Sequence, residues 1–382
     1  MKLDFEKAFD SVNWEFLFSL MSRFGIGERW ISWIKECVYT ARQSVLVNSS
    51  PTEEFSPQKG LRQGDPLSPF LFIIVAECRN VLLSRALDLN LIKGVRVGVN
   101  DVLVSHLQFA DDSILFCEAD EGEIVNVKRI FHCFELVSGL KINYHKSVVC
   151  GVGVDSVVLV DFAAKLNCKT GSLPLSYLGL PLGVSPSKRK SWTPVIEKVK
   201  ARLAGWKRRM LSFAGRLMLI KSALSCLPVY YLSLFRMPEG VAKDFERIQA
   251  AFLWGGSDLK RKGHLVKWEE VTKSIDNGGL GIRKVRVANS CLLLKWWWRF
   301  SYDSKALWRK VICSKFNIDE CCWVPTSGDS WKQSKLWRDI TSLASLYPSM
   351  LECCLNNFNV QVGDGCRIRF WEDLWCDGHC LR

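Results

Sequence analysis

The eleven residues His106 to Phe116, H-L-Q-F-A-D-D-S-I-L-F, set two adjacent carboxylates between two apolar runs. Leu107, Phe109, Ile114 and Phe116 favour burial, so the pattern predicts two short strands folding back on each other across residues 103–118, with Asp111 and Asp112 at the tip. Two like charges side by side in a half-buried place repel, and one of them tends to protonate unless a cation holds both ionised. Aspartate also enters turns for its local hydrogen bonding alone. A third acid narrows the choice: Asp4, between Leu3 and Phe5, ends another short strand, 2–5. If the two segments are neighbours in one sheet, Asp4 and Asp111 point into one cleft. Such a cleft suits a pair of divalent cations about 3.5–4 Å apart, which activate an attacking oxygen and hold a leaving pyrophosphate.

The rest of the first half alternates helical and strand-like patterns. Trp14, Leu17, Leu20 and Met21 have helical spacing, as do residues 30–38. Gln43–Asn48 and Thr52–Ser56 read as a hairpin across S-S-P. G-L-R-Q-G-D-P-L-S-P is a turn-rich run leading into an apolar helix that is expected to reach Leu87, with Ser68 as N-cap and Pro69 at the first helical position. A helix over 121–137 stops at Gly139, and two strand-like pieces follow at 147–152 and 175–182. Strand, helix, hairpin, helix, strand is the order of an α+β layer, a sheet with helices on one face.

Beyond Pro186 the character changes. Val195, Ile196, Val199, Leu203 and Trp206 mark one helix stripe, and 217–227 continues as helix to Pro228. Charge is split: 18 Lys+Arg meet 21 Asp+Glu through residue 180, and 34 meet 18 beyond it, so the net +13 lies wholly in the second half. Between Ser185 and Ser225, Lys188, Arg189, Lys190, Lys198, Lys200, Arg202, Lys207, Arg208, Arg209, Arg216 and Lys221 face the single acid Glu197. Such an excess points to a polyanion, most often nucleic acid; a plainly solvated face usually mixes its signs. After Gly255-Gly256 the chain becomes rich in tryptophan, as in Trp296-Trp297-Trp298.

No run approaches the roughly 18 apolar residues of a membrane span, and the first residues lack an apolar signal region. The 16 cysteines are scattered, without C-x-x-C, which fits reduced thiols in an intracellular protein. Cys376, His379 and Cys380 form a partial zinc-ligand set where about four ligands are needed.

K-L-D-F-E-K-A-F-D-S-V, G-L-R-Q-G-D-P-L-S-P, F-A-D-D, S-G-L-K-I-N-Y-H-K-S and Y-L-G-L-P-L-G lie in this order within the first 183 residues. Together they resemble the blocks of reverse transcriptases, and most closely those of LINE-type, non-long-terminal-repeat retrotransposons of plant genomes. The resemblance implies a right-hand polymerase palm over residues 1–184, an antiparallel sheet with helices on one face. It implies a basic helical thumb over 185–255 and a Trp-rich, mainly helical region over 256–382 ahead of a zinc-binding module. The implied reaction joins deoxynucleoside triphosphates to a DNA primer on an RNA template with two Mg²⁺ ions.

Roles follow by resemblance alone. Asp4, Asp111 and Asp112 are similar to the family's metal-binding acids. Phe9 matches the ring that packs under the incoming sugar and clashes with a 2′-hydroxyl, although a core phenylalanine would look the same. Gln63 and Gly64 resemble the loop under the nascent base pair, where glycine permits close backbone approach. Lys146 stands where a lysine protonates the departing pyrophosphate, or is a surface lysine. Tyr177, Leu178 and Gly179 resemble the primer grip, or a buried strand. Lys198, Arg202, Lys207, Arg208 and Arg209 are the expected phosphate contacts. The tryptophans are expected to pack a core rather than stack on bases.

The family's fingers precede the first aspartate, so with Asp4 near the start the chain is expected to lack them, an N-terminally truncated form. Two functions are therefore carried forward: an RNA-directed DNA polymerase, and a catalytically inactive relic that binds nucleic acid through its basic helices. A group II intron maturase fits the Trp-rich tail less well. The short basic runs at 188–190 and 207–209 are weak nuclear signals, which leave nucleus and cytoplasm both as expectations, and the residues point to no oligomeric state.

Overall fold

A computed structural model describes residues 1–205, 211–254, 266–326 and 333–358, and of the final stretch residues 365, 367, 370, 371, 373 and 375. It divides into two compact units: Met1–Val97 with Leu103–Leu182, and Gly98–Val102 with Gly183–Arg382.

The first unit runs β1 (Lys2–Leu3), α1 (Ala8–Ser11), α2 (Trp14–Arg23), α3 (Glu28–Tyr39), β2 (Leu46–Val47), β3 (Ser50–Pro51), α4 (Ser68–Asp88), β4 (Val95–Val97) and β5 (Val102–Val104). It continues with β6 (His106–Phe109), β7 (Asp112–Leu115), α5 (Glu121–Ser138), β8 (Val148–Cys150), α6 (Ser156–Leu166), β9 (Lys169–Gly171), β10 (Leu175–Tyr177) and β11 (Leu180–Leu182). The element class is mixed α+β. Its main sheet has the order β6-β7-β1-β8-β9.

Strand alternation gives this sheet two faces. Leu3 and Leu115 face α4 and α5, where they are buried with Leu83, Ala86, Val127 and Phe131. Gln108 and Leu3 pair with Ser113 and share its side. Lys2, Ile114, Leu107 and Phe109 belong to the opposite side, where Phe109 is 65% exposed. A second core joins α2, α3 and the first half of α4 through Leu17, Phe18, Ile31, Leu71, Phe72 and Val75. Local signals set the helix ends: Asn13 Oδ1 accepts the Phe16 N–H, Asp120 Oδ2 accepts that of Glu123, and Gly139 ends α5 at φ 76°.

Several expectations need correction. The sheet is not purely antiparallel, because β8 and β9 run parallel. A parallel pair needs a crossover, and α6 supplies it: Asp155 caps its first turn and Phe162, Ala163 and Leu166 bury against Ile124 and Val149. The first hairpin turns at Asn48-Ser49 rather than S-S-P, with φ 49° and 68°. Positive φ at both central residues matches strand twist, and proline cannot adopt it. Residues 175–182 are not one strand but the hairpin β10–β11, turning at Leu178-Gly179 with φ 49° and 75°. Finally, α4 begins at Ser68 itself rather than after it, with Asp65 Oδ1 accepting the Leu67 N–H ahead of it.

The second unit is helical: α7 (Thr193–Gly205), α8 (Phe213–Leu219), α9 (Val229–Leu232), α10 (Glu239–Leu253), α11 (Trp268–Val271), α12 (Val285–Tyr302), α13 (Leu307–Phe316), α14 (Lys335–Thr341), α15 (Leu343–Leu346) and α16 (Pro348–Asn356). The helix expected over 217–227 instead loosens into a π-type turn at Ile220–Leu224, whose ends are fully buried. Trp297 and Trp337 sit in the α12–α14 core with Phe300 and Phe316, and Trp297 Nε1 donates to Ile340 O at 3.0 Å. Trp298 lies outside that core, exposed and stacked on Tyr302. Cys37, Cys78, Cys117, Cys150, Cys168 and Cys313 carry free thiols, and no described helix is long and apolar enough to cross a membrane. Trp206 and the Cys376, His379 and Cys380 set lie outside the described residues.

Candidate active site

The sheet order puts β1 in direct hydrogen-bonded contact with β7. Lys2 pairs with Ile114 and Leu3 with Ser113, and the same register brings Asp4 opposite Asp112. Asp112 likewise pairs with Phe109 across the β6–β7 hairpin. Asp4 and Asp112 therefore share the face turned away from α4 and α5, both half-buried. Asp111 is exposed in the two-residue turn with Ala110, so a single aspartate occupies the tip and its neighbour opens β7. Backbone contacts fasten Asp4: its N–H donates to the Ser147 Oγ at 3.1 Å and its carbonyl accepts from the Asn143 N–H at 2.8 Å. Ser147 is fully buried and donates in turn to Asn143 O.

Lys146 is exposed in that 143–146 turn, with its own N–H bound to Asn143. The turn itself is fastened to Asp4 through Asn143 and Ser147 on either side of the lysine. On the same face as Asp4, the Lys2 ammonium donates to Ser176 O at 3.0 Å and ties the β10–β11 hairpin, with Tyr177, Leu178 and Gly179, to β1.

Phe9, Gln63 and Gly64 lie on a neighbouring framework. Phe9 is half-buried on α1 and stacks on Phe72 of α4, with ring centroids 4.5 Å apart. The loop holding Gln63 and Gly64 is clamped to α1 by Leu61 N–H to Phe9 O at 2.7 Å and Gly60 N–H to Val12 O at 2.8 Å. Trp14 Nε1 donates to Gly60 O at 2.7 Å. Gly60 has φ +85°, and a Cβ there would stand 2.4 Å from Asp10 O, so only glycine lets loop and helix touch. Gln63 and Gly64 form an exposed turn. Asp10, Gln58, Lys59, Arg62, Gln63 and Asp65 border a cleft of about 680 Å³ beside it.

Sequence reasoning missed Arg79. It is 3% exposed on the apolar stripe of α4, where a lone charge among Leu71, Phe72, Val75, Ala76 and Leu83 was the available signal. Its Nε donates to Gln108 Oε1 at 3.1 Å and its Nη2 to Ala110 O at 3.4 Å. Burial pulls the guanidinium down to about 10, while Asp111 and Tyr177 act in the opposite direction.

The three acids thus gather at one end of the sheet, but among the described residues no three His, Cys, Asp or Glu side chains form a group that could hold a metal ion. Their oxygens are of the kind Mg²⁺ takes, so the donor chemistry of the acids fits that ion. Lys198 and Arg202 are exposed on α7, beside a buried stripe of Val195, Val199 and Leu203. Lys207, Arg208 and Arg209 lie outside the described residues.

Residues 1–182 match the family described as reverse transcriptase (RNA-dependent DNA polymerase), so this first part of the chain is similar to that family. Its relatives include Pol polyproteins named for retrotransposable elements. A retrovirus-related Pol polyprotein from a type-2 retrotransposable element of Drosophila melanogaster is 31% identical over 150 residues, 39% of this chain and 13% of that protein. A protein of Arabidopsis thaliana named as a candidate ribonuclease H is 35% identical over 190 residues, 49% of this chain and 29% of its own length. An uncharacterized 149 kDa protein of transposon TX1 from Xenopus laevis is 27% identical over 294 residues, covering 75% of this chain and 21% of that protein. The chain therefore spans less than a third of each.

Proposed function

We propose that residues 1–184 are the palm of an RNA-directed DNA polymerase of LINE type, extending a DNA primer on an RNA template. In this reading 185–255 are a thumb and 256–382 the Trp-rich region ahead of a zinc-binding module. The observation that supports the reading is the register of β1 against β7, Lys2 with Ile114 and Leu3 with Ser113, which continued by one residue would turn Asp4 toward Asp112, next to Asp111. Asp4, Asp111 and Asp112 would hold two Mg²⁺ ions. When bound, these favour the primer 3′-oxyanion and offset charge on the leaving pyrophosphate.

The chain's own residues supply the rest. Phe9, braced by Phe72, would present its ring to the sugar of the incoming nucleotide and exclude a 2′-hydroxyl. The Gln63-Gly64 turn would support the nascent base pair. Lys146, carried by the turn fastened to Asp4, would hand a proton to the departing pyrophosphate. Tyr177, Leu178 and Gly179 would steady the primer end, and Lys198 and Arg202, continued by Lys207, Arg208 and Arg209, would grip phosphates without reading sequence.

A second reading, a non-catalytic form that only binds nucleic acid, is favoured by the absence of a metal-holding group of three such side chains among the described residues. Primer extension on an RNA template with Mg²⁺ and deoxynucleotides separates the two, with Asp111→Asn as control. Extension that vanishes in the variant supports the polymerase. Duplex binding without extension in the unaltered chain overturns it.

A further inference from the structure

We infer that Arg79 is a positioning residue that holds the β6–β7 turn, and with it Asp111, in the form that captures a divalent cation. The inference rests on the proposed polymerase site, and it adds a residue that the Asp-Asp motif does not contain.

Arg79 reaches the hairpin from behind, from the α4 side of the sheet. Its fork grips two points: Gln108 Oε1 on the helix-facing side of β6, and Ala110 O in the turn itself. Its plane also lies over the Phe5 ring at 4.8 Å, one residue beyond Asp4. One guanidinium thus touches the turn that carries Asp111 and the segment that carries Asp4. Arginine suits this because its donors are fixed in a rigid plane.

Two features ask for such a brace. Ala110 has φ 51°, a left-handed conformation that a residue with a Cβ rarely takes and that persists only where the surroundings impose it. Asp111 and Asp112 also follow it directly, and their repulsion would open the turn in the absence of a cation. A positive charge behind the turn opposes that. In purely structural terms Arg79 is out of place: fully buried arginines are normally paired with an acid, and Arg79 makes no ion pair among the described residues, whereas leucine would continue the stripe of α4. His106, Gln108 and Ser113 line the same small cavity of about 10 Å³ as Arg79, together with Leu3, Leu83, Ile114 and Leu115, so Arg79 brings its charge into a mostly apolar space behind the hairpin.

The test measures Mn²⁺ binding to the whole chain by electron paramagnetic resonance, alongside primer extension at varied Mg²⁺. Arg79→Leu is expected to weaken the Asp111-dependent binding on the order of tenfold or more, as loss of an outer-shell partner typically does. It should raise the Mg²⁺ needed for half-maximal extension by a similar factor while leaving the deoxynucleotide KM at saturating Mg²⁺ within about twofold. Arg79→Lys, which keeps the charge but not the fork, should fall between. Gln108→Met removes one of the two grips with Arg79 intact, and it carries the test if Arg79→Leu does not fold, with a smaller loss in the same direction expected. Unchanged Mn²⁺ binding in a folded Arg79→Leu or Gln108→Met variant overturns the role of Arg79 and leaves the polymerase reading standing. Absence of any Asp111-dependent Mn²⁺ binding in the unaltered chain overturns the metal site itself, and this inference with it.

Discussion

Asp4 and Asp112 facing each other across two antiparallel strands should make the cation-free protein less stable than a neutral variant. Facing side chains in such a ladder have Cβ atoms about 5 Å apart, and like charges there cost roughly 0.2–1 kcal/mol. Coulomb's law gives about 0.8 kcal/mol at that distance in water, so the two estimates agree. Asp4→Asn or Asp112→Asn should therefore stabilise the chain by about 0.5 kcal/mol in EDTA at low salt, which is about 1–2 °C in the melting of a unit of this size. The gain should fade at 1 M salt, where screening acts within about 3 Å. Mg²⁺ reverses the order: a cation held by both carboxylates stabilises the unaltered chain by about 1.4 kcal/mol at ten times its dissociation constant, and either variant much less. Calorimetric melts with EDTA and with MgCl₂ should therefore cross. A variant that melts lower in EDTA at low salt, or that gains as much from Mg²⁺ as the unaltered chain, would refute the facing geometry.

Further outcomes follow from other parts of the structure. Phe9→Val should lower discrimination against ribonucleotides by at least about tenfold in primer extension, since the gate is proposed to act by contact with the 2′-hydroxyl; unchanged discrimination returns Phe9 to a packing role against Phe72. His106 is hydrogen-bonded to Asn80 and Ser105, and burial, aided by Arg79, holds its imidazole below its ordinary range. Its contribution is fully present above the unfolded value of about 6.5 and is lost as pH falls through the folded value, with a slope of at most about 1.4 kcal/mol per pH unit. Urea melts of His106→Gln should decline less steeply below pH 6.5, and parallel curves for both proteins would refute this. Lys198→Ala and Arg202→Ala should each weaken duplex binding evenly across sequences and reduce its salt slope by about one. A sequence-dependent loss would argue against phosphate contacts.

Much of the local architecture is legible in the residues. The alternation around Asp111 forms a hairpin, Asp120 and Gly139 bound α5, and Val195, Val199 and Leu203 form the buried stripe of α7. Each signal is local, a cap, a turn or a periodicity completed within one or two helical turns, so it survives without knowledge of the partner. Where the reading failed, distant atoms decided. The α6 crossover makes β8 and β9 parallel, and Leu178 holds a left-handed conformation that its apolar neighbours on either side disguise as strand. Arg79 was visible only as a charge on an apolar stripe, and nothing nearby in the chain names Gln108 or Ala110 as its partners.

The sequence by itself determined the hairpin around Asp111, the helices α2, α4, α5 and α7, the clustering of positive charge after residue 180, and which acids accompany the polymerase-like blocks. Tertiary structure alone decided that β1 lies between β7 and β8, more than a hundred residues from either, and so that Asp4 meets Asp112. Strand pairing is carried by backbone groups that every residue possesses. Its choice of partner is therefore written only in which faces the helices α4 and α5 can bury, a property of the assembled sheet that no short segment contains.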